Sequence, residues 1–372
     1  MNFKQLRGLR DRAMKRDEGL KLLLTNFEGT RQEKDINRRR KLLVDPFFRI
    51  KEDVPKFKEE DFDWSDEEAI MDAMAGRFDM PSWAYRSIEG QARLDEDLKN
   101  YNDVFIYQLK ACNLSCPYCY VDEPNKTPVE NKGAAFISVD GILDAFEDER
   151  GEREEFELNR IRPSGGEPSL VPEQWLEVLR DLEDRGLGKE VHVQSDTNLT
   201  TGRFLDELEE RGEVEEDILQ KIGEYDNFSL LASFKGTDPD NFRRNTRYDE
   251  EFFEEQKCSF KKYAEAGIDV YPFFYNPNPE TLPRLLEELS DDLGDVVYRK
   301  AWNFPLKMYG PTEERLKKEA KAKGFDPDSH VESYRKEWEK NFEEAEEVME
   351  ELHKNVGSDY KNELRVGTEY EL

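Results

Sequence analysis

No stretch of this 372-residue chain holds some 18 consecutive apolar residues, so a membrane-spanning helix is not expected. The opening residues, MNFKQLRGLRDRAMKRDEG, lack an apolar core, so a secretory leader is not expected either. Histidine is scarce: His192, His330 and His353 are scattered, with no H-E-x-x-H pair to seat a metal. His192, in VHVQ, reads as a strand residue rather than a ligand. No G-x-S-x-G elbow, Walker loop or G-x-G-x-x-G turn occurs, which removes the usual sequence grounds for a hydrolase, a P-loop enzyme or a dinucleotide-binding protein. There is no repeat of 20–50 residues and no linker rich in Pro, Gly or Ser. One large domain with appendages is the expected organisation.

Acid is abundant. Asp and Glu number 86 against 56 Lys and Arg, a net charge of −30. Such an excess suits a protein kept soluble in concentrated salt, where screening removes most of the self-repulsion. Aromatic residues make up 12% of the chain, which argues for a packed core rather than disorder. Residues 1–44 run the other way, with 13 basic and 6 acidic side chains. That segment reads as a pair of basic helices docked on the acidic body. The alternative is a face for an anion or for RNA, with Arg38, Arg39, Arg40 and Lys41 on phosphates.

The few cysteines are unevenly placed. Cys112, Cys116 and Cys119 lie within eight residues, and Cys258 stands 139 positions further on. A chain this long with no leader is a poor case for a disulfide framework. Clustered thiols point to metal or redox chemistry. Pro117 disfavours helix at Cys116, so the triplet reads as a loop wrapping a metal site. Thiolates suit zinc or an iron–sulfur cluster. Three local ligands leave one coordination position open, which a catalytic metal needs and a structural one lacks. Cys258 lies on an amphipathic helix and reads as a buried small hydrophobe.

From residue 104 strands and helices alternate. Strands are expected at 104–110, 157–162, 190–194, 228–232, 268–274 and 295–300, with helices between them. This pattern implies an α/β fold with a parallel sheet curled into an open or partial barrel. The expected division is a helical or irregular extension over 1–99, a barrel over 100–302 and a helical extension over 303–372. In such folds ligands sit at the carboxyl ends of strands. Four polar segments follow the first four strands in order: the Cys loop, SGGEP at 164–168, SDTN at 195–198 and SFKG at 233–236. Gly165 and Gly166 would let backbone approach a ligand closely, and Glu167 could accept from an ammonium group. Ser195 or Asp196 could accept from ribose hydroxyls, and Asn198 could donate to a carboxylate. The plainer readings are a strand-to-helix turn, an N-cap cluster and, for Lys235, a solvated loop residue. Tyr275 and Asn276 would share the rim as a substrate-site guess.

CNLSCPYC resembles the C-x-x-x-C-x-aromatic-C motif of the radical S-adenosylmethionine (radical SAM) superfamily. The resemblance covers about half the chain and implies a partial (β/α)₆ barrel. It further implies that Cys112, Cys116 and Cys119 hold a 4Fe–4S cluster whose remaining iron chelates S-adenosylmethionine. Reductive cleavage then yields a 5′-deoxyadenosyl radical that abstracts hydrogen. Gly165, Gly166 and Glu167 resemble the family's GGE motif at the methionine amino group, and Tyr118 is expected beside adenine. The segment Asp196-Thr197-Asn198 and the stretch around Lys235 look like the glycyl-radical-activase branch as cofactor-binding elements. Ser233 and Arg247 depart from that branch, which has Asp and Gly there. The implied partners are S-adenosylmethionine and a low-potential electron donor such as ferredoxin or flavodoxin. A cytoplasmic enzyme of unread substrate is expected, acting on a protein or a small molecule, with RNA less favoured. One leftover cysteine leaves no set for a second cluster. The alternative of another class is a non-catalytic iron–sulfur or zinc protein, which would have no need of a GGEP rim segment.

Overall fold

The computed structural model describes residues 3–33, 42–52, 103–130, 133–152 and 158–357. Helix α1 (Phe3–Ala13) leads into a hairpin of β1 (Met14–Arg16) and β2 (Leu20–Thr25). Strands β3 (Leu42–Asp45) and β4 (Phe48–Glu52) pair antiparallel, and β4 pairs antiparallel with β5 (Asp103–Gln108). Strand β6 (Ala134–Ser138) returns to β2, giving a small sheet ordered β1-β2-β6.

Strand–helix alternation follows: α2 (Val139–Gly151), β7 (Leu158–Ser164), α3 (Glu173–Asp184), β8 (His192–Thr197), α4 (Gly202–Glu210) and α5 (Ile218–Gly223). It continues with β9 (Phe228–Phe234), α6 (Pro239–Thr246), α7 (Glu251–Glu265), β10 (Asp269–Tyr275), α8 (Leu282–Leu293), α9 (Val296–Lys300) and β11 (Trp302–Phe304). Helices α10 (Gly310–Lys323) and α11 (Pro327–Asn355) close the described chain. The main sheet runs β11-β10-β9-β8-β7-β5-β4-β3. Neighbours from β5 to β11 are parallel, as a partial (β/α)₆ barrel requires. Apolar side chains on the outer strand faces, such as Ile161, Val193 and Leu230, pack under α3 residues such as Trp175 and Leu179 in one core. Asp238 caps α6, accepting from the Asn241 N–H at 2.8 Å ahead of Pro239, a start signal already present in the sequence.

Two expectations are corrected. Residues 295–300 form helix α9 rather than the sixth strand, which is the three-residue β11. Val296 and Val297 favour a strand locally, but tertiary packing overrides that preference. The Lys300 ammonium pairs with Asp269 at 2.6 Å, and both side chains are buried. Strand β8 extends to Thr197, past the expected end at 194. Of the basic start, the described residues hold helix α1, the hairpin and a helical stretch at 31–33. Arg38, Arg39, Arg40 and Lys41 lie outside the described residues.

The described part of that basic segment is engaged by acid. Arg7 meets Glu213 at 3.1 Å, Arg16 meets Glu173 at 3.2 Å and Glu177 at 3.4 Å, and Arg31 meets Glu314 at 3.0 Å. Arg10 pairs with Glu173 where both side chains are buried. The exposed pairs stabilise little, of order 0–1 kcal/mol each. The buried pair fixes the position of α1, because removing one partner would strand the other charge in the interior.

Candidate functional site

The Cys loop leaves β5 and crosses to the small sheet, where Lys110 N–H donates to Leu23 O at 2.9 Å. Cys112 N–H donates to Lys126 O at 3.0 Å, and Cys119 N–H donates to Cys116 O at 3.2 Å. All four cysteines are free thiols. Burial raises the Cys112 thiol above its usual range, and the charges of Glu167 and the neighbouring thiols add to that. Burial also raises Cys116, opposed by Lys235 and Lys126. Thiolates here would repel one another, so the anionic form needs a positive partner within the loop. Among the described residues no three His, Cys, Asp or Glu side chains converge as a single bare ion would require. The donor set is nonetheless that of a soft, multi-atom metal group: three thiols on one loop, each short of a competing disulfide.

The paired glycines are demanded by this loop. Gly165 and Gly166 have φ of 61° and 56°, a region that side chains other than glycine rarely adopt. A Cβ on Gly166 would stand 2.1 Å from Ala111 O and 2.3 Å from Leu109 O. A Cβ on Gly165 would stand 2.5 Å from the Gln108 side chain. Glu167 N–H donates to Ala111 O at 2.6 Å, tying the turn to the base of the Cys loop. The Glu167 carboxylate is buried. It accepts from Asn198 N–H at 2.7 Å and from the backbone and hydroxyl of Ser169. Burial pushes it up to about 6 against those hydrogen bonds. Its side chain braces two rim segments, and what the turn offers a ligand is backbone.

The other sequence candidates divide. Because β8 runs to Thr197 and side chains alternate along a strand, Ser195 and Asp196 face opposite ways. Ser195 is fully buried against α3: it accepts from Trp175 Nε1 at 2.8 Å and donates to Pro163 O at 3.0 Å. It is drawn away from the rim, and the expectation of a ribose contact there is corrected. Asp196 faces inward, held by Arg162 at 2.7 Å and by the Ser164 hydroxyl at 2.6 Å. Asn198 donates to Asn113 Oδ1 at 2.8 Å and accepts from Thr200 N–H at 3.0 Å, while Asn113 donates to Thr200 Oγ1 at 2.7 Å. This ring joins the Cys loop to the turn after β8. Tyr118 stacks on Tyr275, with centroids 5.8 Å apart and planes 11° apart. The Lys235 ammonium lies 3.8 Å above the Tyr275 ring and 6.0 Å from that of Tyr118. Asn276 is buried, bonded to Asn245 and Asn341. Cys258 is exposed rather than buried, because α7 buries the stripe of Phe253, Gln256, Phe260 and Tyr263, and Cys258 falls beside it.

Sequence reasoning passed over three supports. Gln256 donates to Asn198 O at 2.6 Å and Ser233 O at 3.1 Å, and accepts from Lys235 N–H at 3.1 Å, stapling two rim turns. Thr312 donates to Tyr118 O and Cys119 O, each at 3.1 Å. Arg315 donates to Pro117 O at 3.1 Å, Cys119 O at 2.8 Å and Val121 O at 2.9 Å, and pairs with Glu123 at 3.1 Å. Nothing in the charged pattern of α10 marks Thr312 or Arg315. Asn113, inside the Cys motif itself, was the one findable member.

Residues 107–289 match the family model of the radical SAM superfamily. The model is that of the whole superfamily and does not single out the glycyl-radical-activase branch. No curated protein matches the chain. Among solved structures it is similar to Streptococcus suis SuiB bound to precursor peptide SuiA, with 14% identity and a TM-score of 0.36, covering 51% of this chain and 36% of that one. It is similar to a spore photoproduct lyase mutant at 12% identity and a TM-score of 0.40, covering 55% and 57%. A third is OxsB, a cobalamin-dependent S-adenosylmethionine radical enzyme, at 12% identity and a TM-score of 0.40, covering 59% and 36%. The chain thus spans between about a third and somewhat over half of the length of these proteins. Among the described residues no helix is long and apolar enough to cross a membrane.

Proposed function

This chain belongs to the radical SAM superfamily, and we propose that it cleaves S-adenosylmethionine reductively at a 4Fe–4S cluster held by Cys112, Cys116 and Cys119. The observation that carries this reading is the three-thiol loop wedged against a side-chain-free glycine turn at the carboxyl rim of the parallel strands. Cys112, Cys116 and Cys119 would hold the cluster, which would supply the one-electron reduction of S-adenosylmethionine that starts hydrogen abstraction from a substrate. The protein's part is to bind, orient and shield.

Each residue has a place in that division. The backbone of Gly165, Gly166 and Glu167 presents itself to the methionine end, with the Glu167 carboxylate holding the turn in place. Asp196, oriented by Arg162, accepts from ribose hydroxyls. The stacked rings of Tyr118 and Tyr275 form an apolar wall, and Lys235 supplies a cation beside it. Asn198 acts through Asn113 by setting the Cys loop against the β8 turn. An external low-potential donor such as ferredoxin or flavodoxin supplies electrons. An RNA substrate gains no support from Arg7, Arg10, Arg16 and Arg31 of the basic segment, which face glutamates.

The test is anaerobic reconstitution with iron and sulfide, addition of dithionite and S-adenosylmethionine, and measurement of 5′-deoxyadenosine. The wild-type chain should release it, and Cys116→Ala should lose both the cluster absorbance and the product. A full cluster in the Cys116→Ala protein would sink the assignment.

A further inference from the structure

The inner face of the barrel below the rim carries charge that the proposed cofactor chemistry does not use. Strand register places Arg49 beside Ile106, and Ile106 beside Arg162. Arg160 and Ile161 pair with His192 and Val193, so Gln194 follows beside Arg162. Gln194 in turn neighbours Ser229. Ser195 points outward to Trp175, so Gln194 and Asp196 point in. Phe48 and Ile50 belong to the apolar core, which turns Arg49 to the opposite, inner face.

Two of these groups lack what burial demands. Arg49 is only 6% exposed, yet among the described residues no carboxylate lies within ion-pairing distance of it, and its Nε has no hydrogen-bond partner. Its guanidinium lies 5.4 Å from the Phe27 ring and 5.9 Å from that of Tyr120. Gln194 is fully buried, and among the described residues neither its amide nitrogen nor its amide oxygen has a partner. Asp196, whose charge also reaches Arg49, is committed to Arg162 through two contacts of 2.7 and 3.3 Å. Buried polar groups are nearly always hydrogen-bonded, and buried charges are nearly always paired. Burial and the Arg162 charge hold the Arg49 pKa down, opposed by the Tyr120 side chain, which hydrogen-bonds the guanidinium, and by the charge of Asp196. A buried cation with an unsatisfied nitrogen and, among the described residues, no ion-paired carboxylate shares this inner face with an unsatisfied amide, a poor structural choice and a good receptor.

We propose that Arg49 and Gln194 form the floor of a substrate site that takes a small molecule bearing an anionic group, a carboxylate or a phosphate. The guanidinium pairs with the anion, and the Gln194 amide accepts from and donates to the adjoining polar part of the same molecule. Arg162 lies between Arg49 and Gln194 at the same level of the sheet, and Asp196, two residues beyond Gln194, stands nearer the rim. The proposal rests on the radical SAM reading for the word substrate. The anion site itself is measurable without it.

The experiment uses the reconstituted full chain without dithionite, at constant ionic strength. Succinate, inorganic phosphate and neutral succinamide are titrated separately while the melting temperature is followed. An anion that binds only the folded state should give a saturable rise of roughly 2 °C or more. Succinamide should give none. A rise with succinate alone assigns a carboxylate, and a rise with phosphate alone assigns a phosphoryl group. In Arg49→Met the rise should vanish, and without anion this variant should melt above the wild type, because a buried cation with no ion-paired carboxylate is gone. Gln194→Leu should keep the rise with severalfold weaker half-saturation. Equal rises in wild type and Arg49→Met, a rise with succinamide as large as with succinate, or no saturable rise with either anion would each overturn the proposal. Release of 5′-deoxyadenosine by the same preparation after dithionite is scored separately, so the radical chemistry and the anion site can fail independently.

Discussion

The two sides of the Cys loop are held by different means. Its front meets strand ends inside the family-matched segment, where Gly166 fits against the Leu109 and Ala111 backbone, Gly165 against the Gln108 side chain, and the Asn198 side chain donates to Asn113. Its back is held by α10, beyond that segment, where Thr312 and Arg315 gather carbonyls of Pro117, Tyr118, Cys119 and Val121. The front works by exclusion of side chains and tolerates almost no change of shape. The back works by charge-assisted hydrogen bonds, which lose strength by degrees. A motif can thus be specified locally while its rigidity is supplied from far along the chain.

Substitutions on each side should separate these two modes. Gly166→Ala should have the largest effect. Its Cβ would lie 2.1 Å from Ala111 O, so the loop must move, and S-adenosylmethionine affinity by equilibrium dialysis should fall more than about tenfold, or ~1.4 kcal/mol. Retention of wild-type affinity would show that the glycine turn is a structural detail only. Arg315→Met should act less sharply. It removes hydrogen bonds from a charged donor, worth about 1.5–3 kcal/mol each at most, and iron retained after gel filtration should drop severalfold while S-adenosylmethionine restores part of it. Unchanged iron content would mean that the back of the loop carries no strain. Asn113→Ala combined with Arg315→Met sharpens the contrast further. If front and back act separately, the losses in melting free energy should add within about 0.5 kcal/mol; a larger coupling would make the loop a single cooperative unit. Cys258→Ser, exposed on α7, should leave iron content unchanged, and loss of cluster there would restore a four-thiolate reading.

Much of the front was legible because it is local. The Cys spacing, the Gly-Gly-Glu turn and the alternation of strands and helices depend on neighbours in sequence. Ser195 was misread because its facing depends on where β8 ends, and a strand that runs to Thr197 rather than residue 194 makes Ser195 a packing partner of Trp175. The sixth strand was misplaced because Val296 and Val297 favour strand locally, while packing and the Lys300–Asp269 pair sit with a helix. Strand β6 was missed because its partner, β2, lies more than a hundred residues earlier. Arg49 and Arg315 could not be found from pattern, since an arginine on a short strand and one on a charged helix look like solvated residues until the fold brings other groups to them.

The brace on the back of the Cys loop also sets an order in time. Arg315 lies 196 residues beyond Cys119. Chains are synthesised at about 5–20 residues per second, so the cysteines leave the ribosome roughly 10–40 s before the arginine that will hold their carbonyls. During that interval the thiols stand on an unclamped loop, open to oxidation or to the wrong metal. Firm holding of the cluster should therefore follow arrival of the carboxyl-terminal helices, and a chain released short of residue 315 should retain severalfold less iron than the full chain.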